Sequence, residues 1–531
     1  MSTKMGMDGN GTNPVNQTKR ASDESATGGW SRREFLDLAA EAIVATGLAA
    51  FSSGPAWAAQ SGAGDHADLA ALTLQKVSEM LRKKAISPVE LTQNCLQRIQ
   101  RLNPTLNCFI TVDAEGAMAQ ARATEMELQH GKWRGPLHGV PIALKDNIDT
   151  AGIKTTAASG VFANRVPTED AEVVRRLKGA GAVLLGKLNM HEFAYGGTSI
   201  PSFFGAVHNP WNPKYTPGGS SGGPASAVAA GLCYGSLGTD TAGSVRIPGS
   251  FCGIVGLKPT YGRVSNRGVV PMRPSLDHVG PLTRSVLDAA LLLQPLAGYD
   301  PEDVTSADQP VPDFVEQMRA HKGPVRLGVP RAFFFDSLDP DVAMAVEQAL
   351  GVLEKLGNHQ QDVTLPEVAT LPTGSTGAEV WAFHRQYVEK SPQLYQPQTL
   401  ERLKPNADVS AAAYFEGQQK IALLRREVQK VFASVDLIVT PTTPHPAHTL
   451  EVADREEQEN IEAKALSTLT RNTIPFDVYG LPTITVPCGF SRDKMPIGLQ
   501  ITGPAWNEAA VLRLAQAFEQ ATDWNRRPPT W

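Results

Sequence analysis

The chain has 531 residues, 42% of them hydrophobic and 19% charged, with a formal net charge of −5 at pH 7. That balance is ordinary for a globular protein with a large core and excludes a nucleic-acid face built as a basic stripe. The five cysteines, Cys95, Cys108, Cys233, Cys252 and Cys488, are widely spaced with no C-x-x-C. This excludes the common zinc and redox motifs, and the odd count leaves at least one thiol free unless two chains cross-link.

Residues 1–30 are rich in Gly, Asn, Ser and Thr, carry too little apolar surface to order themselves, and are expected to be disordered. Ser31-Arg32-Arg33-Glu34-Phe35-Leu36 resembles a bacterial twin-arginine export signal. An apolar run from Ala42 to Phe51 and the small-residue pattern Ala56-Trp57-Ala58 follow it. Residues 31–58 are therefore expected to be a signal cleaved after Ala58, giving a periplasmic chain from Ala59. The translocation machinery is then a partner during export. The uncharged run of about ten residues is half the ~20 needed to cross a bilayer, so no stable membrane anchor is expected.

From 59 to 531 the pattern reads as one α/β domain. Ser87-Pro88-Val89-Glu90 is a capping box with proline at the first helical position. It opens a helix expected to stop at Asn103-Pro104. A polar helix over 114–130 leads to an apolar strand ending in Lys145. A helix over 170–181 precedes a strand at Val183–Leu185, and helix alternating with short strand predicts α/β layers. Ser226–Cys233 reads as a small-residue helix, residues after Pro259 as loop as far as Pro281, and Ser285–Leu296 as a helix. The polar segment 299–325 reads as a surface excursion before the strand at 325–329. Asp339-Pro340 opens a helix with Val342, Val346, Leu350 and Leu353 on one face and Gly357 at its end. The stretch 366–420 carries Trp381, Phe383, His384, Tyr387, Tyr395, Tyr414 and Phe415, as core or as pocket wall, and 299–430 is the part of the domain whose role is most open. Strands at 436–440 and 483–487 and a last helix through Val511, Leu514, Ala515 and Phe518 complete the pattern.

Chemistry concentrates in three segments: GVPIALKDNID (139–149), PGGSSGG (217–223) and GTDTAGSVR (238–246). Glycine-rich loops let main chain approach a reacting group, and their successive N–H groups can hold an anion. A buried lysine beside a serine can serve as a base once desolvation lowers its pKa. Together these segments resemble the amidase signature family, whose G-V-P-I-x-x-K-D, G-G-S-S-G-G and G-T-D-x-x-G-S motifs they match. The two serines stand 244 − 220 = 24 residues apart, as the family pattern requires. The resemblance continues through residues 170–193, 204–212, 246–265 and 480–504. It implies a three-layer α/β/α fold with a mixed central sheet, and hydrolysis of a carboxylic amide through a Ser–Ser–Lys triad. In that triad Ser244 is the nucleophile, Ser220 the proton relay at a cis peptide, and Lys145 the base. It also implies that Thr241, Ala242 and Gly243 present oxyanion-holding amides. Ser221 is expected to support Ser220 by a hydrogen bond, and Asp240 and Arg246 to brace the loop as a buried pair. No cofactor or metal is expected. The substrate is a small-molecule amide, with a homodimer as a plausible assembly. Two departures stand out: Ala242 replaces the usual glycine, and Pro201 occupies a position where the family suggests asparagine.

Three other readings remain open. A Ser–His–Asp hydrolase would use Ser221 within G-x-S-x-G, but that motif needs a strand before it, and NPWNPKYTP is poor strand material. A glutamine-dependent amidotransferase subunit shares the signature but works with cytosolic partners, against the export signal. A non-catalytic anion-binding module lacks the GK[ST] of a nucleotide loop. Metal catalysis has little support: His445-Pro-Ala-His448 lies in a proline-rich stretch read as a loop, and His191-Glu192 has no second ligand at helical spacing.

Overall fold

The computed structural model describes residues 69–531 apart from 321–322, 372–373, 464–467, 525–526, 528 and 530–531. The expected disordered leader (1–30) and export signal (31–58) lie outside the described residues. Eleven strands run β1 Phe109–Val112, β2 Pro141–Lys145, β3 Val183–Leu188, β4 Gly235–Asp240, β5 Val255–Lys258, β6 His278–Thr283, β7 Arg326–Val329, β8 His359–Asp362, β9 Leu437–Pro441, β10 Thr483–Phe490 and β11 Pro496–Thr502. Among the described residues they form one sheet in the order β1-β3-β2-β4-β6-β5-β10-β11-β9-β7-β8. The sheet is mixed. Pairs β2–β3, β2–β4, β7–β8 and β7–β9 are parallel, and the remaining neighbours are antiparallel.

Every residue of β2, β3, β4, β6, β9 and β11 is buried. A strand buried at successive positions has both faces covered, so helices pack on each side in a three-layer α/β/α arrangement. The helices used below are α1 Pro88–Leu106, α2 Ala114–Gln129, α3 Gly222–Ala229, α4 Arg246–Phe251, α5 Pro340–Lys355, α6 Gly377–Lys390, α7 Pro397–Leu403, α8 Leu450–Glu462 and α9 Glu508–Ala521. Ser87 caps α1 with both halves of the box formed and Pro88 at its start. The helix does not stop at Asn103: it continues through Pro104 to Leu106, and Asn107 ends it with φ 49°. A proline in the last turn removes one backbone bond. Asn103 compensates by taking the Phe109 N–H at 2.8 Å and donating to the Phe109 carbonyl at 3.1 Å. On α5, Val342, Val346, Leu350 and Leu353 are all buried, each a contribution of roughly 1.5–3 kcal/mol.

Besides the end of α1, three elements differ from the sequence reading. The strand expected at Val183–Leu185 runs on to Leu188, and the small-residue helix begins at Gly222, directly after Ser221. The loop expected up to Pro281 already becomes strand at His278. Residues 235–240 form a strand despite two glycines, because Gly238 lets Ser221 approach: a Cβ there would meet Ser221 Oγ at 2.7 Å. Segment 299–430 contributes the edge strand β8, its neighbour β7 and helices α5 to α7. Its aromatics divide: Phe383, Tyr387 and Tyr395 pack with Phe162 and Phe193 in a second apolar cluster, whereas Phe415 is exposed. All five cysteines are free and buried.

Candidate active site

The three motif segments meet at the end of the parallel β2–β4 pair. Lys145 is the last residue of β2, and its side chain is wholly buried instead of reaching solvent. Its Nζ lies 2.7 Å from Ser220 Oγ, 2.8 Å from Thr239 Oγ1 and 3.4 Å from the Thr239 carbonyl. Burial pushes the amine down to about 7, although the carboxylates of Asp240 and Asp277 pull the other way.

Ser220 sits in the turn before α3. Its peptide with Gly219 is cis, and its carbonyl accepts the His191 N–H at 3.1 Å. Ser244 lies in the turn between β4 and α4. Its carbonyl accepts the Ser221 N–H at 3.2 Å, which places the two serine loops side by side. Lys145 and Ser220 have no accessible surface, whereas Ser244 keeps 7% of its own. Of the three, Ser244 is thus the group that a substrate can reach.

Ser221 does not bond Ser220. Its Oγ donates to the Thr239 carbonyl at 3.2 Å and accepts the Thr239 N–H at 3.3 Å. Ser221 begins a helix packed on β4, and that geometry turns its side chain to the strand. Its support for the lysine is therefore indirect, through Thr239.

The loop 240–246 is held from inside. The Asp240 carboxylate accepts the N–H groups of Gly243 at 2.6 Å and Val245 at 3.1 Å, and two guanidinium bonds from Arg246 at 3.0 Å. Burial opposes its ionisation, but the Arg246 charge prevails and holds the carboxyl well below the usual range. The remaining Arg246 N–H groups reach the Thr473 carbonyl, Gln500 Oε1 and Asp477 Oδ2 at 2.7–2.9 Å. All five of its donors are used, so the expected pair is the centre of a wider network.

Of the three residues expected to offer oxyanion amides, Gly243 differs: its N–H is already given to Asp240. The amides of Thr241, Ala242 and Ser244 have no hydrogen-bond acceptor among the described residues. Gly243 is needed for shape instead, with φ +117° and no room for a Cβ beside Thr473 and Ile247. Ala242 keeps a negative φ, so the methyl that replaces hydrogen there causes no backbone strain. The Thr241 hydroxyl donates to Asp277 at 2.5 Å, and Thr473 Oγ1 donates to the Ala242 carbonyl at 2.6 Å.

Thr239, Asn147, Asp277, Thr473, Asp477 and Gln500 escaped the sequence reading. Thr239 and Asn147 lie within the motif segments, and their nearness in sequence to Ser244 and Lys145 was the available signal. Asp477 and Gln500 are more than 200 residues from Arg246 in the chain, and only the β10–β11 side of the sheet brings them near.

Comparison with known proteins gives the same picture. The Amidase family model matches residues 90–512. A glutamyl-tRNA(Gln) amidotransferase subunit from Moorella thermoacetica is 41% identical over 86% of this chain and 98% of its own. The solved structure of 6-aminohexanoate cyclic dimer hydrolase in complex with substrate is 30% identical with TM-score 0.77, covering 87% of this chain and 99% of that one. The native peptide amidase from Stenotrophomonas maltophilia is 30% identical with TM-score 0.74, over 86% and 98%. A match this long, around a buried lysine and two adjoining serine loops, makes the chain a member of the amidase family and an enzyme acting on carbon–nitrogen amide bonds.

Proposed function

We propose that the chain cleaves a carboxylic amide through an acyl-enzyme on Ser244, with Ser220 as proton relay and Lys145 as base. The observation that carries this reading is the 2.7 Å contact between Lys145 Nζ and Ser220 Oγ in a fully buried setting. A neutral amine has two N–H donors and one lone pair. The Thr239 carbonyl must accept, and Thr239 Oγ1 already accepts from Asn147 at 3.1 Å. With both lysine donors turned to Thr239, the lone pair faces the Ser220 hydroxyl. Ser220 then passes its proton to Lys145 while taking the proton of Ser244 Oγ, which attacks the amide carbon. The C–N bond breaks as the proton returns to the leaving nitrogen, and water releases the acyl group. Loss of one oxyanion donor typically costs about 3 kcal/mol, and the Thr241, Ala242 and Ser244 amides are those available for that role.

The experiment is a panel of aliphatic, aryl and peptide amides assayed with the wild-type chain and Ser244→Ala. Turnover of at least one amide, abolished in the variant, is expected. Equal rates in the two proteins would refute the mechanism.

A second reading has a specific observation in its favour: relatives at 38–41% identity are glutamyl-tRNA(Gln) amidotransferase subunits. In it the amide is that of glutamine, and the ammonia passes to an acylated tRNA held by partner subunits. The acylation chemistry is the same and only the fate of the nitrogen differs. Glutamine cleavage that accelerates strongly in the presence of a tRNA-binding partner would select this reading, and efficient hydrolysis by the isolated chain selects the first. Export by the twin-arginine signal belongs to the first reading. Cell fractionation of the full chain and of Arg32→Lys/Arg33→Lys tests it: periplasmic activity lost in the variant is expected.

A further inference from the structure

Beyond β9 the chain enters the loop 442–449, TTPHPAHT, and then α8. His445 and His448 lie with ring centroids 4.1 Å apart and planes inclined by 13°. Glu456, in the second turn of α8, comes back over this loop and places Oε2 2.9 Å from His448 Nδ1. One ligand atom from each of the three residues lies within 4.8 Å of the others. All three are half-buried, and side-chain exposure of 30% at His448 and 39% at Glu456 leaves the cluster reachable from solvent.

The tautomers suit ligation. His445 Nδ1 faces the Pro446 carbonyl at 2.8 Å; a carbonyl can only accept, so this nitrogen carries the proton and Nε2 keeps its lone pair. An Nδ1–H turned to a carbonyl is the usual outer partner of a ligating histidine. Burial and the neighbouring His448 favour the neutral ring at His445.

We propose that His445, His448 and Glu456 bind one divalent transition-metal ion, with zinc the best match. Two imidazoles and a carboxylate fill three positions of a tetrahedral site and water fills the fourth. Imidazole-rich sets favour zinc, copper and nickel over magnesium and calcium. Two ligand atoms about 2.0 Å from a tetrahedral ion stand about 3.3 Å apart, so an ion replacing the proton between His448 and Glu456 moves that pair only slightly. One of the stacked rings must turn about its Cβ–Cγ bond to bring the ion into its plane.

The ion serves as a staple. The His448 carbonyl accepts the Thr216 N–H at 3.0 Å, and the Leu450 N–H donates to the Lys214 carbonyl at 2.8 Å. Loop 442–449 thus lies along the segment leading into Gly218–Ser221. The residue after Glu456 reaches the same place from another side: Glu457 lies 3.3 Å from His191 Nε2 and 2.9 Å from Arg402 Nη1, and it accepts the Thr198 hydroxyl. His191 in turn donates its N–H to Ser220. Fixing Glu456 therefore fixes a helix that abuts both supports of the Ser220 turn.

The test uses tag-free full-length chain, stripped with chelator and titrated with zinc chloride by calorimetry. One equivalent should bind with a dissociation constant of about a micromolar or tighter and raise the melting temperature. His445→Ala, His448→Ala and Glu456→Ala should each weaken binding by at least about tenfold, and His130→Ala on the C-terminal side of α2 should not. Absence of saturable binding below about 100 µM, or wild-type affinity in all three variants, would overturn the site. If a variant fails to fold, zinc-edge absorption on the wild-type complex replaces it: two imidazole ligands support the proposal and fewer than two defeat it.

Discussion

Lys145 and Thr239 face one another across the parallel β2–β4 pair, and the threonine offers the lysine two acceptors, Oγ1 at 2.8 Å and the carbonyl at 3.4 Å, beside the 2.7 Å contact with Ser220 Oγ. Thr239 is in turn held by Ser221 on its backbone and Asn147 on its hydroxyl. Thr239→Val keeps the shape and removes Oγ1. We expect kcat to fall by roughly 10- to 100-fold, about 1.4–2.8 kcal/mol, with KM little changed and the melting temperature within a few degrees. Steady-state kinetics with thermal melts check this; an unchanged kcat would show that the amine is oriented without Oγ1.

The pH dependence follows from the same amine. As the proposed base Lys145 acts only when neutral, and burial brings it down to about 7 from an ordinary lysine value near 10.5. Its neutral fraction falls about tenfold per pH unit below 7. The predicted profile of kcat/KM therefore rises with pH through an apparent pKa near 7 and levels off above it. A rate independent of pH from 5.5 to 8.5, with the enzyme folded throughout, would mean that Lys145 is not the base.

The buried Asp240–Arg246 pair yields a stability prediction. Arg246→Met leaves Asp240 buried without the charge that offsets its burial and with both guanidinium bonds gone, along with the bonds to Thr473, Gln500 and Asp477. Removing one member of a buried pair costs about 3–5 kcal/mol. Chemical denaturation should show a loss of this size, and activity should fall with it because the 240–246 loop is no longer fixed. A loss below about 1 kcal/mol, the range of a surface pair, would contradict the network.

The sequence made the centre of this site readable because each side chain there is announced by its own segment. Lys145 ends an apolar run, and Ser220 and Ser244 lie among glycines that few other structures require. Burial of Val342, Val346, Leu350 and Leu353 was equally visible, since helical spacing puts them on one face. What failed was of another kind. Pro104 reads as a helix stop, yet Asn103 bonds forward to Phe109 and the last turn survives. The strand at 235–240 was not read from the sequence, because its glycines answer to Ser221 and not to strand propensity. The partners of Arg246 come from beyond residue 470, and no local pattern encodes an approach made by tertiary packing. Ser221 showed the limit within a motif: spacing gave its neighbourhood, but only the start of α3 decides that it turns to Thr239 and away from Ser220.

The glycine at 243 provides the sharpest steric test. Its amide is committed to Asp240, so a change there acts on shape and not by deleting an oxyanion donor. Gly243→Ala introduces a Cβ that collides with Thr473 Oγ1 and lies 2.6 Å from Thr473 Cβ and 2.8 Å from Ile247 Cδ1. It must also be held at φ +117°, a conformation that residues with a Cβ rarely adopt. The loop must shift, carrying with it the Ala242 and Ser244 amides. We expect kcat to drop by at least about 100-fold while Ala242→Gly, at an unstrained and partly exposed position, stays within about threefold of wild type. Thr473→Ala in the Gly243→Ala background removes the colliding hydroxyl but leaves the φ unchanged, so it should recover only part of the lost rate. Full recovery would assign the whole effect to the Thr473 hydroxyl, and none would assign it to the remaining Thr473 Cβ and Ile247 contacts together with the backbone angle.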